Sequence, residues 1–271
     1  MGITNNWCQL VKSAEVKAYW EANAEAWTRY SRNGHDVYRD ALNTPAFLAM
    51  LPPVSGLCGL DLGCGEGSNT RKLAQLGAKL HAIDIASTFI RYARATEQAE
   101  PLGIVFNVAD AVSLPFADRS FDFVTAFMSM MDVPDQSAAL REVSRVLRPG
   151  GFLQFSISHP CFDPPHRRVL RQADGATRAI EVAGYFDRTE RVDTWWFSTL
   201  PREERARVAP FRTPRFHRTL SGWVELICRA GLVIEQLGEP YASPELAKAV
   251  PVVEDTRVAP LFLHIRARKP N

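Results

Sequence analysis

The residues with chemical potential are gathered first in Leu60-Asp61-Leu62-Gly63-Cys64-Gly65-Glu66-Gly67-Ser68. A short apolar run closes on an acid, and three glycines follow at alternate positions. This order predicts a buried strand passing through a tight turn into a helix N-terminus. Glycine tolerates positive φ and, without a Cβ, lets a ligand lie against the backbone. Asp84 stands 21 residues (84 − 63) beyond Gly63, at the end of a second apolar run. A carboxylate there accepts two hydroxyl hydrogens at once, as the ribose of a nucleoside offers them. The alternatives are a Gly-rich turn without a ligand and an ordinary solvated aspartate.

The spacing separates the nucleotide-binding turns. A dinucleotide site has G-x-G-x-x-G, whereas here the third glycine position of that pattern is Ser68. A phosphate-binding P-loop ends in Gly-Lys-Ser or Gly-Lys-Thr, which is absent. Both phosphate readings weaken.

The elements that must position these residues follow from periodicity. Val16, Tyr19, Trp20, Trp27 and Tyr30 fall near one face of a helix over 15–30. A polar loop is expected over 33–40, then a short helix over 44–51 that Pro52-Pro53 stops. Helices over 68–76 and 89–96 alternate with strands over 79–85 and 104–108. The run 121–127 is apolar on both faces, as a central parallel strand should be. Asp135 caps a helix reaching residue 147, and a strand over 152–158 follows. A helix over 219–230 and strands over 232–237 and 261–268 end the chain.

Asp61-Leu62-Gly63-Cys64-Gly65-Glu66-Gly67 resembles the first motif of class I S-adenosylmethionine (SAM)-dependent methyltransferases. The resemblance continues through Asp84, Asp110, Leu114-Pro115-Phe116, Phe121-Asp122 and Leu147-Arg148-Pro149-Gly150-Gly151, covering roughly residues 56–158. It implies a three-layer α/β, Rossmann-like fold with a mostly parallel seven-stranded sheet whose last strand is antiparallel. It implies SAM as cofactor and S-adenosylhomocysteine as product. Asp84 would hold the ribose, Asp110 the adenine amine, and Gly63 and Gly65 the methionine end. Asp61, Cys64, Asn69, Ile85, Ala111, Phe127 and Met128 complete the expected cofactor wall, with Tyr30 as a lid residue. Many relatives carry a histidine pair where Met131-Asp132 stand, so this chain departs from the pattern there.

Methyl transfer needs alignment and exclusion of water, and a base only where the acceptor must lose a proton. His159 is the foremost candidate, because it follows the strand whose end should face the donor; Asp132, His166 and His217 come after it. The same histidine could instead pin its loop by hydrogen bonds. His159, Cys161 and His166 match no metal spacing, and no metal is expected. Asp163-Pro164-Pro165-His166 resembles the D-P-P-aromatic motif of adenine-amino methyltransferases. It follows the fifth strand rather than the fourth and ends in histidine, so it reads as a stiffened loop.

Residues 160–218 hold twelve arginines and eight acids, a surplus of four positives around Trp195-Trp196-Phe197. Interleaved acids suggest surface ion pairs for most of these arginines, while Arg167, Arg168, Arg212 or Arg215 could face inward onto a polar acceptor. The organisation expected is a lid segment (1–55), a SAM-binding core (56–159), a substrate cap inserted between the fifth strand and the next core helix (160–218), and completion of the core (219–271). Met131, His159, Trp195 and Trp196 would line the acceptor pocket.

A net charge of +2 gives no broad field for nucleic acid, and no apolar run reaches the roughly 20 residues of a membrane helix. Residues 1–10 lack the layout of a signal peptide. Cys8, Cys58, Cys64, Cys161 and Cys228 are odd in number and never in a C-x-x-C pair, which favours reduced thiols in the cytoplasm. The expected activity is methyl transfer to an O, N or C atom of a small molecule by a monomer or homodimer. An RNA-modifying methyltransferase and a non-catalytic SAM-binding regulatory subunit are the alternatives.

Overall fold

The computed structural model describes residues 13–271; the signal-peptide reading of residues 1–10 and Cys8 fall outside the described residues. Helix α1 (Ser13–Arg32) carries Glu15 in its first turn and Arg29 and Arg32 in its last, the distribution a helix dipole favours. The loop expected over 33–40 is shorter than its polarity suggests. A π-helical turn at Arg39–Asn43 leads directly into α2 (Thr44–Met50). Arg39 bonds Ser31 Oγ at 2.6 Å and pairs with Asp40 at 2.8 Å, so the polar side chains close local contacts.

The core then alternates β1 (Cys58–Leu62), α3 (Ser68–Gln75), β2 (Lys79–Asp84), α4 (Ser87–Ala99) and β3 (Val105–Val108). It continues with β4 (Phe121–Phe127), α5 (Gln136–Val146) and β5 (Leu147–Ser158). Two antiparallel hairpins come next, β6 (His166–Arg171) with β7 (Thr177–Ala183) and β8 (Arg191–Trp195) with β9 (Phe211–Arg215). A one-turn helix α6 (Arg202–Arg205) lies between β8 and β9. α7 (Leu220–Arg229), β10 (Val233–Gly238), α8 (Pro244–Ala249) and β11 (Phe262–Arg268) complete the chain.

The main sheet has seven strands in the order β10-β11-β5-β4-β1-β2-β3. β3, β2, β1, β4 and β5 run parallel, and β11 is antiparallel to both of its neighbours. β5 begins at Leu147 rather than at residue 152, because the Arg-Pro-Gly-Gly passage is held in place: Leu147 pairs with Phe121, and the Gly150 N–H donates to Lys269 O at 3.0 Å.

The sheet divides the core into two packed layers. On one face Leu60, Leu62, Val124 and Ala126 meet Leu140 and Val143 of α5 and Trp223 and Ile227 of α7. On the other, Phe123 and Phe152 meet Leu73 of α3 and Ile90 and Ala93 of α4. Successive residues of β4 thus serve opposite faces, which explains its unbroken apolar run.

One contact directly beneath the glycine turn sets the spacing of β1 and β4. Gly59 lies over the ring of Phe123, and a Cβ at Gly59 would stand 2.2 Å from Phe123 Cζ. Gly59→Ala should therefore destabilise the fold by ~1–3 kcal/mol, the usual cost of overpacking. Urea denaturation should show a lowered midpoint, and Gly59→Ala with Phe123→Leu should recover much of it.

Candidate functional site

Doubly wound sheets bind ligands beyond the carboxyl ends of their strands. A cavity of about 680 Å³ lies there, walled by the loops after β1 to β5 and roofed by α1 and the hairpins. Gly63, Gly65 and Gly67 all have positive φ, at 65°, 55° and 90°. A Cβ at Gly63 would come 2.4 Å from Ser129 Cβ, so the loops after β1 and β4 touch through a bare backbone. Around Gly65 nothing lies within 4 Å of the Cβ position, which leaves that backbone open to a ligand.

The loop is held by buried carboxylates. Asp84 accepts the Gly65 N–H on Oδ2 and the Ala86 N–H on Oδ1, each at 2.9 Å. Every oxygen so engaged keeps a second lone pair. Burial pushes the Asp84 carboxyl up to about 6, against the lowering effect of those two amides. Asp61 lines the same cavity, but both of its oxygens are turned onto protein hydroxyls, Thr70 at 2.6 Å and Thr125 at 2.8 Å. It ties β1 to α3 and β4, and burial pushes it up to about 6. Burial also pushes the Cys64 thiol well up, so it stays neutral, while its N–H donates to Ile83 O at 2.9 Å.

Asn69, Ile85, Asp110, Ala111, Phe127 and Met128 all face this cavity. Asp110 Oδ1 accepts the Val112 N–H at 3.1 Å. Met128 has a φ of 51°, a left-handed conformation for a non-glycine residue, and its N–H donates to Ser156 O at 3.0 Å. That strained exit turns the chain so that Met128 to Asp132 border the cavity.

Two expected residues lie elsewhere. Tyr30 does not line the cavity; it is buried among Phe197, Leu200 and Phe211, with its hydroxyl donating to Glu204 at 3.1 Å. Trp20 and Trp27 form the wall instead, edge to face with centroids 5.4 Å apart. Both belong to the predicted apolar face, and Tyr30 sits a turn beyond the cavity along the helix axis. Its neighbour Arg32 reaches the loop by an ion pair to buried Glu66 at 2.8 Å, a contact that sequence spacing did not signal.

His159 is the second correction. It is only 1% exposed and outside the cavity. Its Nδ1 accepts the Cys161 N–H at 3.1 Å, which leaves the proton on Nε2, 2.8 Å from Glu239 Oε1. Both nitrogens are engaged by protein groups, an arrangement that pins the loop. His166 and His217 also lie outside the cavity, the latter bonded to Tyr185 O at 2.9 Å. Among the described residues no three His, Cys, Asp or Glu side chains are placed to share a metal ion.

The loop after β4 and the hairpins add a charged part of the lining. Met131, Trp195 and Trp196 line the cavity there with Asp132, Asp163, Arg167, Arg191, Asp193 and Arg215. Arg191 pairs with Asp193 at 2.7 Å and Arg167 with Asp255 at 2.7 Å. Arg215 donates to Ser158 Oγ at 3.0 Å. Of the other inward candidates, Arg168 pairs with Glu181 at the surface and Arg212 lies over the Tyr19 ring.

Residues 60–155 match the family described as "Methyltransferase domain". Over 97 residues the chain is 41% identical to "Methyltransferase GfsG" of Streptomyces halstedii, covering 35% of each chain. Over 113 residues it is 41% identical to "Ubiquinone/menaquinone biosynthesis C-methyltransferase UbiE" of Vibrio vulnificus, covering 39% of this chain and 43% of that one. The match thus spans less than half the length of either curated relative. A crystal structure of an S-adenosylmethionine-dependent methyltransferase from Mesorhizobium loti superimposes with a TM-score of 0.68 at 27% identity, over 83% of this chain and 96% of that one.

The raised Asp61 carboxyl has a consequence for pH. The unfolded chain releases this proton near 3.8, the folded chain only near 6. Between those values folding takes up a proton, so Asp61's contribution to stability is greatest at low pH and is lost as pH rises through 6. Urea unfolding of wild type and Asp61→Asn between pH 4 and 7 should show the wild type losing stability relative to the variant, by at most ~1.4 kcal/mol per pH unit.

Proposed function

We propose that this chain, whose core is a class I SAM-dependent methyltransferase domain, transfers the methyl group of SAM to a small polar molecule. The observation that carries this reading is a single cavity lined both by the glycine loop, Asp84 and Asp110 and by charged side chains of the hairpins.

The residues present fit SAM. The open backbone at Gly65 offers a surface on which a ligand can lie directly. Asp84 keeps a lone pair on each oxygen for a ribose hydroxyl, and Asp110 has one oxygen without a protein donor for the adenine amine. Ile85, Ala111 and Phe89 supply apolar surface beside them, and Trp20 and Trp27 shield that part of the cavity from water. When bound, SAM supplies an electrophilic methyl carbon on a sulfonium. The protein's share is to orient the acceptor in line with that carbon and to keep water out.

Residues 160–218 act in this reading as the acceptor cap. At least six of their twelve arginines pair with carboxylates, as in Arg167–Asp255, Arg168–Glu181 and Arg191–Asp193. A nucleic-acid surface would carry an unmatched positive field, so the pairing supports a small acceptor over RNA. A non-catalytic SAM-binding subunit would bind the cofactor without turning it over. None of the described helices is long and apolar enough to cross a membrane.

Calorimetry with SAM, followed by transfer of labelled methyl to a panel of small hydroxy- and amino-compounds, tests the reading. Binding with turnover supports it, and the absence of SAM binding overturns it. Asp84→Asn should weaken SAM binding by ~1–3 kcal/mol, the loss typical of a charge-assisted hydrogen-bonding group. Because Asp84 must be ionised to accept two hydroxyls, wild-type affinity should fall as pH drops through about 6. The affinity of Asp84→Asn should not vary over that range.

A further inference from the structure

With His159 turned away from the cavity, the role of proton acceptor passes to another group. We infer that Asp132 takes the proton of the methyl acceptor, and that the acceptor therefore presents a hydroxyl or an amine N–H to this carboxylate. This rests on the methyl-transfer reading of the cavity.

Asp132 closes the short helical turn Met130–Asp132 just after β4, beside the Ser129 that packs against Gly63. It faces the same cavity as the glycine loop. Its carboxylate is nearly buried, and no hydrogen bond to it is found among the described residues. Oδ1 is shielded from the cavity and lies 3.8 Å from Arg215 Nε, an ion pair too long for a hydrogen bond. The side chain keeps 7% of its surface exposed, which leaves Oδ2 as the oxygen an acceptor can reach.

The surrounding charges suit a base. Arg215 on β9 favours the carboxylate form, but it also serves Asp193 on β8 at 3.5 Å and draws on Asp163 in the loop after β5. Arg191 is taken up by Asp193 at 2.7 Å. Asp132 is therefore only partly compensated, and burial pushes its carboxyl up to about 7 despite Arg215, with Asp193 pushing in the same direction. A base that titrates near the working pH is ionised when the acceptor arrives and still holds the proton it takes.

The step balances without another reactant. A lone pair of the acceptor oxygen or nitrogen forms the bond to the methyl carbon, and the electron pair of the carbon–sulfur bond stays on sulfur. The acceptor's proton moves to Asp132 Oδ2 and leaves to solvent with the product. Arg215 lies on the Oδ1 side of the carboxylate, 3.8 Å away and without a hydrogen bond to it.

Two measurements test this. In the full chain with aspartate labelled at the carboxyl carbon, one resonance missing from Asp132→Asn should titrate near pH 7. Titration below about pH 5, where a structural ion pair would hold it, overturns the inference without any acceptor in hand. In the labelled-methyl assay with phenols, hydroxy acids and amines, Asp132→Asn should lower kcat about 100-fold or more. It should leave SAM affinity within about threefold and abolish the rise of kcat with pH, which Asp132→Glu should partly restore. Wild-type kcat and pH profile in Asp132→Asn overturn the inference and leave the methyl-transfer reading standing. A wild-type chain that binds no SAM overturns that reading, and this inference with it.

Discussion

The hydrogen bond from the Gly65 N–H to the buried Asp84 carboxylate fixes the rest of the site. It fastens a glycine-rich loop to the end of the neighbouring strand. Three residues at positive φ would otherwise sample many conformations, since glycine loses more freedom on ordering than any other residue. Asp61 plays the matching part beneath the loop, with Thr70 and Thr125 as its partners. The two carboxylates hold a cradle that leaves the Gly65 backbone open to the cavity. Both are buried acids with no cation bonded to them among the described residues, so the cradle is ordered at some cost to stability.

Much of this was legible in the sequence, for a physical reason. A turn with positive φ and a bare backbone can be written only with glycine, and a strand buried on both faces only with apolar residues. The Asp61–Gly67 stretch and β4 therefore declare themselves locally. Asp84 follows from its spacing beyond Gly63 at a strand end, and Asp110 from the resemblance to the methyltransferase family. The structure brings both into the cavity with Asn69, Ile85, Ala111, Phe127 and Met128.

What could not be read depends on contacts between distant segments. His159 stands where a base would be useful, yet its ring is turned by Glu239, which lies on the segment after β10. Tyr30 and Trp27 share a helical face, and only the position of the β8–β9 hairpin decides which of them meets the ligand cavity. The hairpins themselves lack clear alternation, because prolines and arginines interrupt their apolar pattern. Asp132 was a minor candidate for the same reason. Its environment is made by Arg215 and Asp193, which arrive from β9 and β8.

The carboxylate of Asp132 also bears on how this protein tolerates change. A nearly buried acid whose nearest cation among the described residues is 3.8 Å away and shared weakens the fold at neutral pH. An uncharged residue of similar volume would remove that desolvation penalty; with Asp132 as the proton acceptor inferred above, the position would set thermal robustness against turnover. Selection for heat resistance alone would discard the acid early, and a screen that scored only surviving folded protein would enrich chains that have stopped working. The same opposition marks residue 132 as one where a gain in melting temperature is itself a warning about activity.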